Sequence, residues 1–138
     1  MTARALLDTS ALLLLGTVED PEELPAELFI STVTVAELSV GPLVAADDGN
    51  RAARQVHLQQ AEADFDPLPL DAAAARAFGR VAAALRASGR KPAARAFDAL
   101  IASIALANRL PVITANPADF EGIPDLQVMP LATGDRRA

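Results

Sequence analysis

The sequence contains no cysteine, tryptophan or tyrosine, a single histidine, His57, and a single lysine, Lys91. The missing thiols exclude disulfides, thiolate metal sites and a cysteine nucleophile, and one histidine cannot build a multi-histidine zinc site. Any metal held by this chain must therefore sit on oxygen ligands. His57 lies between Val56 and Leu58 in a helical stretch and is given no catalytic role. Five phenylalanines are the only aromatic side chains, so platforms for stacking bases are few. Charge breaks every apolar run before the roughly 18 residues that a membrane-spanning helix needs. The first sixteen residues, interrupted by Asp8, lack the small-residue cleavage site of a secretory signal, so a cytoplasmic protein is expected.

What is present fits one soluble globular domain. The chain has 138 residues, 51% of them apolar, and is long enough to fold on one core. The domain is expected over residues 1–132, with 133–138 as a loose tail. A net charge of −6 argues against a general nucleic-acid coating protein, because phosphate binding normally needs a positive field. The charge is unevenly spread, however. Arg76, Arg80, Arg86, Arg90, Lys91 and Arg95 form a basic stripe with no acid among them, whereas residues 1–70 carry twelve of the eighteen acids. A solvated helix face is the plain explanation of such a stripe.

Hydrophobic patterning alternates strands with helices. Arg4 to Leu7 reads as a buried strand ending at Asp8, with Thr9 or Ser10 capping a helix over Ala11 to Leu15. Leu28 to Ser31 reads as a second strand, and Ser31 or Thr32 caps a helix that runs to Val40 before Gly41-Pro42 interrupts it. A helix is expected over Asn50 to Phe65, with Ala53, Val56, Leu58, Ala61 and Phe65 at core spacing. A strand-like connection follows over Asp66 to Leu70, then a helix from Asp71 to Ser88-Gly89. Ala93 to Asn108 is apolar on almost every side and should be a buried helix. Pro111 to Thr114 is a strand, Asn116 to Phe120 a capped turn and Leu126 to Val128 a last strand. This order predicts an α/β domain with a central, mostly parallel sheet of about four to five short strands flanked by helices.

In such sheets ligands bind beyond the carboxyl ends of the strands, and Asp8 and the Thr114 to Asp119 turn both fall there. Glu37 points from its helix toward the same edge. Asp98 stands within an apolar helix, where a carboxylate is costly to bury unless it is paired or binds a metal; an Arg95 to Asp98 pair is the alternative. Taken singly, Asp8 also suits a helix cap, Glu37 a solvent-facing position and Asp119 a turn. Taken together, four carboxylates at one edge would repel unless divalent cations neutralise them. Hard oxygen ligands select Mg²⁺ or Mn²⁺, which suit phosphodiester cleavage by activating water and stabilising charge on the phosphate. The glycine-rich dinucleotide and P-loop signatures are absent, as is the G-x-S-x-G elbow. No second Asp follows Asp8 by two residues, which argues against a phosphoaspartyl hydrolase, and Lys91 is misplaced for a receiver domain.

Three segments carry a family resemblance: Leu6-Leu7-Asp8-Thr9-Ser10, then Ser31 through Leu38, then Phe97-Asp98-Ala99-Leu100-Ile101-Ala102 through Leu110 to Phe120. In order and spacing the chain resembles the PIN-domain family, in particular the VapC-type toxins of bacterial toxin–antitoxin pairs. The resemblance implies a PIN fold, a Mg²⁺ or Mn²⁺ site and RNA endonuclease activity. It implies Asp8, Glu37 and Asp98 as core acids and Asp119 as a more variable fourth. Thr9 and Ser10 match hydroxyl positions beside the first acid, and Thr114 and Asn116 match polar positions near the fourth. Asn116 stands where some PIN nucleases have another acid, which leaves the number of metals open. A homodimer is implied, together with a VapB-type antitoxin peptide lying across the acidic groove. Arg76, Arg80, Arg86, Arg90 and Arg95 then become candidate contacts to the RNA backbone. The rival readings are a catalytically weak RNA- or partner-binding module of the same fold, a small phosphoester hydrolase, and a purely structural interaction protein.

Overall fold

A computed structural model describes residues 3–90 and 95–133. Four short strands, β1 (Arg4–Leu7), β2 (Glu27–Phe29), β3 (Val112–Thr114) and β4 (Val128–Pro130), form one sheet in the order β2-β1-β3-β4. Every neighbouring pair is parallel. Parallel strands covered on both faces read as unbroken apolar runs, and β1 and β3 do so. Alternate side chains then serve opposite layers: Leu6 and Val112 join one buried cluster, while Ala5, Leu7 and Ile113 join the other.

Helices α4 (Ala72–Ala87) and α5 (Ala96–Ala107) build the first layer, which includes Val81, Leu85, Ile101, Ile104 and Phe120. The second layer comes from α1 (Thr9–Leu13), α2 (Thr32–Leu43), α3 (Asp48–Asp64) and the connection ahead of β2. The expected class is therefore the observed one, with four strands. The chain leaves β1 toward β2 on one side and returns to β3 on the other. The crevice between β1 and β3 is thus the topological switch point of the sheet, where α/β folds bind ligands.

Several local expectations need correction. Asp8, not Thr9 or Ser10, caps α1, accepting from the Ala11 amide at 2.8 Å. Helix α2 does not stop at Gly41-Pro42 but continues to Leu43. The arginines of α3 explain this, because Arg54 donates to the Gly41 carbonyl at 3.0 Å and Arg51 to the Pro42 carbonyl at 3.2 Å, supplying partners for the end of the helix. Along α3 only Ala61 of the expected core residues is buried; Leu58 and Phe65 are half-buried, and Ala53 and Val56 are exposed. That helix packs on α2, not broadly on the sheet, so it needs a narrower apolar stripe.

The last strand begins two residues later than expected and ends at Pro130, tolerated because β4 is an edge. The strand-like connection reduces to one parallel bridge, Ser31 to Leu68. Of the buried helix expected from Ala93, residues 93 and 94 lie outside the described set, as does all of the tail after residue 133. The remainder forms α5 and is buried through Ala99 and Ile101 to Ala105.

The layer assignment makes a contrast measurable. Leu85→Ala empties a fully buried position between α4, α5 and the sheet and is expected to cost about 2–5 kcal/mol. Val56→Ala, at a position 47% exposed on α3, should stay within about 0.5 kcal/mol. Urea denaturation of the two variants checks both.

Candidate metal centre

The site starts from the register of β1 and β3. Leu7 stands opposite Ile113, so the next residues, Asp8 and Thr114, emerge together at the carboxyl edge. Asp8 is only 5% exposed and accepts three hydrogen bonds. Ser10 Oγ and the Ala11 amide donate to Oδ1 at 2.7 and 2.8 Å, and Thr114 Oγ1 donates to Oδ2 at 2.5 Å. The two hydroxyls are themselves anchored by backbone. The Ala115 amide donates to Ser10 Oγ at 3.1 Å and the Asn116 amide to Thr114 Oγ1 at 3.0 Å. Asn116 thus contributes its backbone here, while the residue itself is exposed.

Thr9 carries the site toward α2. Its Oγ1 donates to Glu37 Oε1 at 2.6 Å and lies 2.9 Å from Thr34 Oγ1. Thr34, fully buried, went unrecognised as a site residue in the sequence. Its spacing was the available signal, because positions three apart on a helix share a face, and Thr34 and Glu37 are such a pair. Ser31 caps α2 by accepting from the Thr34 amide at 3.2 Å, which fixes where that face begins.

Asp98 sits in the first turn of α5, half-buried. Loss of solvent, followed by the negative fields of Asp119, Asp8 and Glu37, pushes its carboxyl up from 3.8 to about 6, and Arg95 opposes this only in part. The four acids expected from the sequence therefore share one electrostatic neighbourhood. The expected alternative partner of Asp98 is otherwise engaged: the Arg95 guanidinium pairs with Asp119 Oδ1. Among the described residues Asp98 has no ion-pair partner.

The basic stripe divides in two. Arg76, Arg80 and Arg86 are exposed, turned away from the buried Ala74, Ala77, Val81 and Leu85 of α4, and have no ion pair among the described residues. Gly89, at φ +85°, ends that helix with a reversal in which the Arg90 amide donates to the Leu85 carbonyl at 2.8 Å. Arg90 is thereby brought to the 3-10 turn Pro117–Phe120, where it reaches the Ala118 carbonyl at 3.3 Å and Glu121 at 3.1 Å. Arg90 and Arg95 therefore hold the turn that carries Asp119. Lys91 lies outside the described residues.

A hard cation fits this donor set in kind, since the groups are carboxylates and hydroxyls and one carboxyl is raised by burial and then by its acidic neighbours. No three acidic or histidine groups among the described residues converge closely enough to form a complete cage. Mg²⁺ does not demand one, because it usually takes one or two carboxylates and keeps several waters.

Comparison with known proteins agrees with this architecture. The PIN domain profile matches residues 5–126. Ribonuclease VapC5 of Mycobacterium tuberculosis is 38% identical over 123 residues, which span 88% of each chain. Ribonuclease VapC4 of the same organism is 32% identical over 91% of this chain and 95% of its own. Among solved structures, VapBC-5 from Mycobacterium tuberculosis, a member of the VapBC family of toxin–antitoxin systems, superposes with a TM-score of 0.80. It is 35% identical, covering 94% of this chain and 99% of that one. VapBC-1 from nontypeable Haemophilus influenzae, at 24% identity and a TM-score of 0.74, shares the fold across 93% of this chain and 98% of that one. With its parallel sheet, its acids at the switch point and these relatives, the chain belongs to the PIN domain family.

Proposed function

We propose that the protein is a divalent-metal-dependent endoribonuclease, the toxin of a toxin–antitoxin pair. The observation that carries this reading is the buried Asp8, held by Ser10 and Thr114 at the β1/β3 crevice, in one electrostatic neighbourhood with Glu37, Asp98 and Asp119. Its similarity to the VapC ribonucleases supplies the substrate class. Asp8 and Asp98 would hold Mg²⁺ or Mn²⁺, with Glu37 and Asp119 holding the ion or its waters. Such an ion, when bound, activates water and stabilises charge on the phosphate. The chain's own contribution is orientation: Thr114, Ser10 and the Ala11 amide fix the Asp8 oxygens, and Thr9 fixes Glu37. No side-chain nucleophile is required.

The solved neighbours are toxin–antitoxin complexes, which supports a VapB-type antitoxin as partner. A basic antitoxin side chain suits the acidic groove by charge complementarity. A homodimer is part of the same reading. No described helix is long and apolar enough to cross a membrane. The exposed arginines Arg76, Arg80 and Arg86 run along α4 toward the acids and form the proposed track for the RNA backbone.

Purified protein freed of antitoxin should cut bacterial RNA into discrete fragments with Mn²⁺, and fail to do so with EDTA or as Asp8→Ala or Asp98→Asn. Intact RNA from folded wild-type protein in every lane would favour the non-catalytic binding module. Joint replacement of Arg76, Arg80 and Arg86 by Ala should weaken RNA binding and reduce the salt slope by about 0.7 per lost phosphate contact. Filter binding across a salt series reads both quantities, and an unchanged slope would reject the track.

The raised Asp98 carboxyl also predicts a pH dependence of stability. Between 3.8 and about 6 the unfolded chain has released this proton while the folded chain retains it. Folding is therefore not penalised at lower pH, and the penalty grows to its full size as pH rises through 6. In metal-free protein Asp98→Asn should raise Tm more at about pH 8 than at about pH 4.5. Mn²⁺ should stabilise wild type more than this variant, and calorimetry at the two pH values checks both effects.

A further inference from the structure

We propose that Arg95 is a two-position residue: it neutralises Asp119 in the free enzyme, then transfers to the RNA phosphate and releases Asp119 toward the metal, coupling metal binding to RNA binding. The inference rests on the nuclease reading and adds a regulation to it. The family resemblance implies separate roles for these two side chains, phosphate contact for Arg95 and metal ligation for Asp119. The folded chain spends both on each other.

The pair is built in a way that lets it open. The two side chains are 38% and 33% exposed, and ion pairs within reach of water are held weakly. Among the described residues one guanidinium nitrogen is used, bonded to one carboxylate oxygen. A guanidinium carries five N–H donors in a fixed fork that matches phosphate, so most of the Arg95 donor set has no partner among the described residues. Arg95 occupies the cap position of α5, where a side chain with donors only makes no cap bond.

Arg90 supplies the contrast. It grips the same 3-10 turn through Glu121 and the Ala118 carbonyl, so the turn keeps an anchor when Arg95 lets go. Loss of the Arg95 contact therefore frees Asp119 without unfolding the segment that carries it.

The arrangement also bears on metal binding. Of the neighbouring charges, Asp119 acts most strongly on Asp98, yet one of its oxygens is committed to Arg95. A phosphate that draws Arg95 away removes a cation competing for Asp119, so each ligand must tighten the other by the same factor.

The test measures Mn²⁺ binding by the loss of its free-ion paramagnetic resonance signal. It uses the metal-depleted full chain with and without a 2′-O-methyl oligoribonucleotide of mixed sequence, shown by gel to stay intact. For wild type the oligonucleotide should tighten Mn²⁺ binding by about 5-fold or more, the usual lower range of such coupling. Arg95→Gln should bind Mn²⁺ more tightly than wild type without oligonucleotide and show no further gain with it. Asp119→Asn should lose the coupling without that initial gain, and unchanged circular dichroism establishes that both variants fold. Equal Mn²⁺ affinity in wild type and Arg95→Gln, with the oligonucleotide effect intact in both, would overturn the proposal and leave the nuclease reading standing. Absence of Mn²⁺ binding in every protein would overturn the metal-dependent reading and this proposal together.

Discussion

The hydrogen bond from Thr114 Oγ1 to Asp8 Oδ2, at 2.5 Å, is the constraint around which the site is organised. It ties together two residues 106 positions apart that close the crevice between β1 and β3. Asp8 is buried at the end of an apolar strand, where an unsatisfied carboxyl would be costly to leave. Hydrogen bonds to charged groups are worth about 1.5–3 kcal/mol each, so three donors are needed to make such a position tolerable. They come from three places: the end of β3, the first turn of α1 and the backbone amide that Asp8 caps. The parallel pairing of β1 with β3, the start of α1 and the orientation of the first acid are therefore one structural decision.

From that fixed point Glu37 is placed by relay. Ser10 holds Asp8 and is held by the Ala115 amide; Thr9, one residue earlier, holds Glu37 and meets Thr34. Hydroxyls suit this task because each both donates and accepts, linking a carboxylate to backbone without adding charge. A lysine or arginine in the same place would neutralise the acids and remove the reason for a cation to bind. The described structure keeps positive charge to one corner, where Arg95 meets Asp119, and leaves Asp98 with its acidic neighbours.

Much of this was legible in the sequence, and the rest has identifiable reasons for being hidden. Asp8 and Thr114 could be read because each follows or ends a short apolar run that suits a buried strand, and strand ends define the edge of a parallel sheet. Asp98 stood out as the one acid in an otherwise apolar helix. The continuation of α2 through Pro42 could not be read locally, because the partners for its last carbonyls are Arg51 and Arg54 of the next helix. The burial of α3 was overestimated for a related reason. Periodicity shows that a helix has an apolar face but not how wide a neighbour will cover it, and α3 meets mainly α2. The Arg95–Asp119 pair was hidden by chain distance, since its partners stand 24 positions apart, one at the start of α5 and the other on the 3-10 turn.

The division of the arginines follows from the same geometry. Helices α4 and α5 cover one face of the sheet and pack against each other, so the end of α4 and the start of α5 lie at the carboxyl edge where the acids are. Arginines on the outer face of α4 stay in solvent, while Arg90, just past its end, and Arg95, at the start of α5, meet the acidic turn in ion pairs. One run of basic residues thus acquires two physical states through its position along the chain. The solvated members lie apart from these contacts, while the paired members hold the turn and Arg95 partly offsets the repulsion on Asp98. An acidic protein can in this way carry a local run of positive charge beside a cluster of carboxylates.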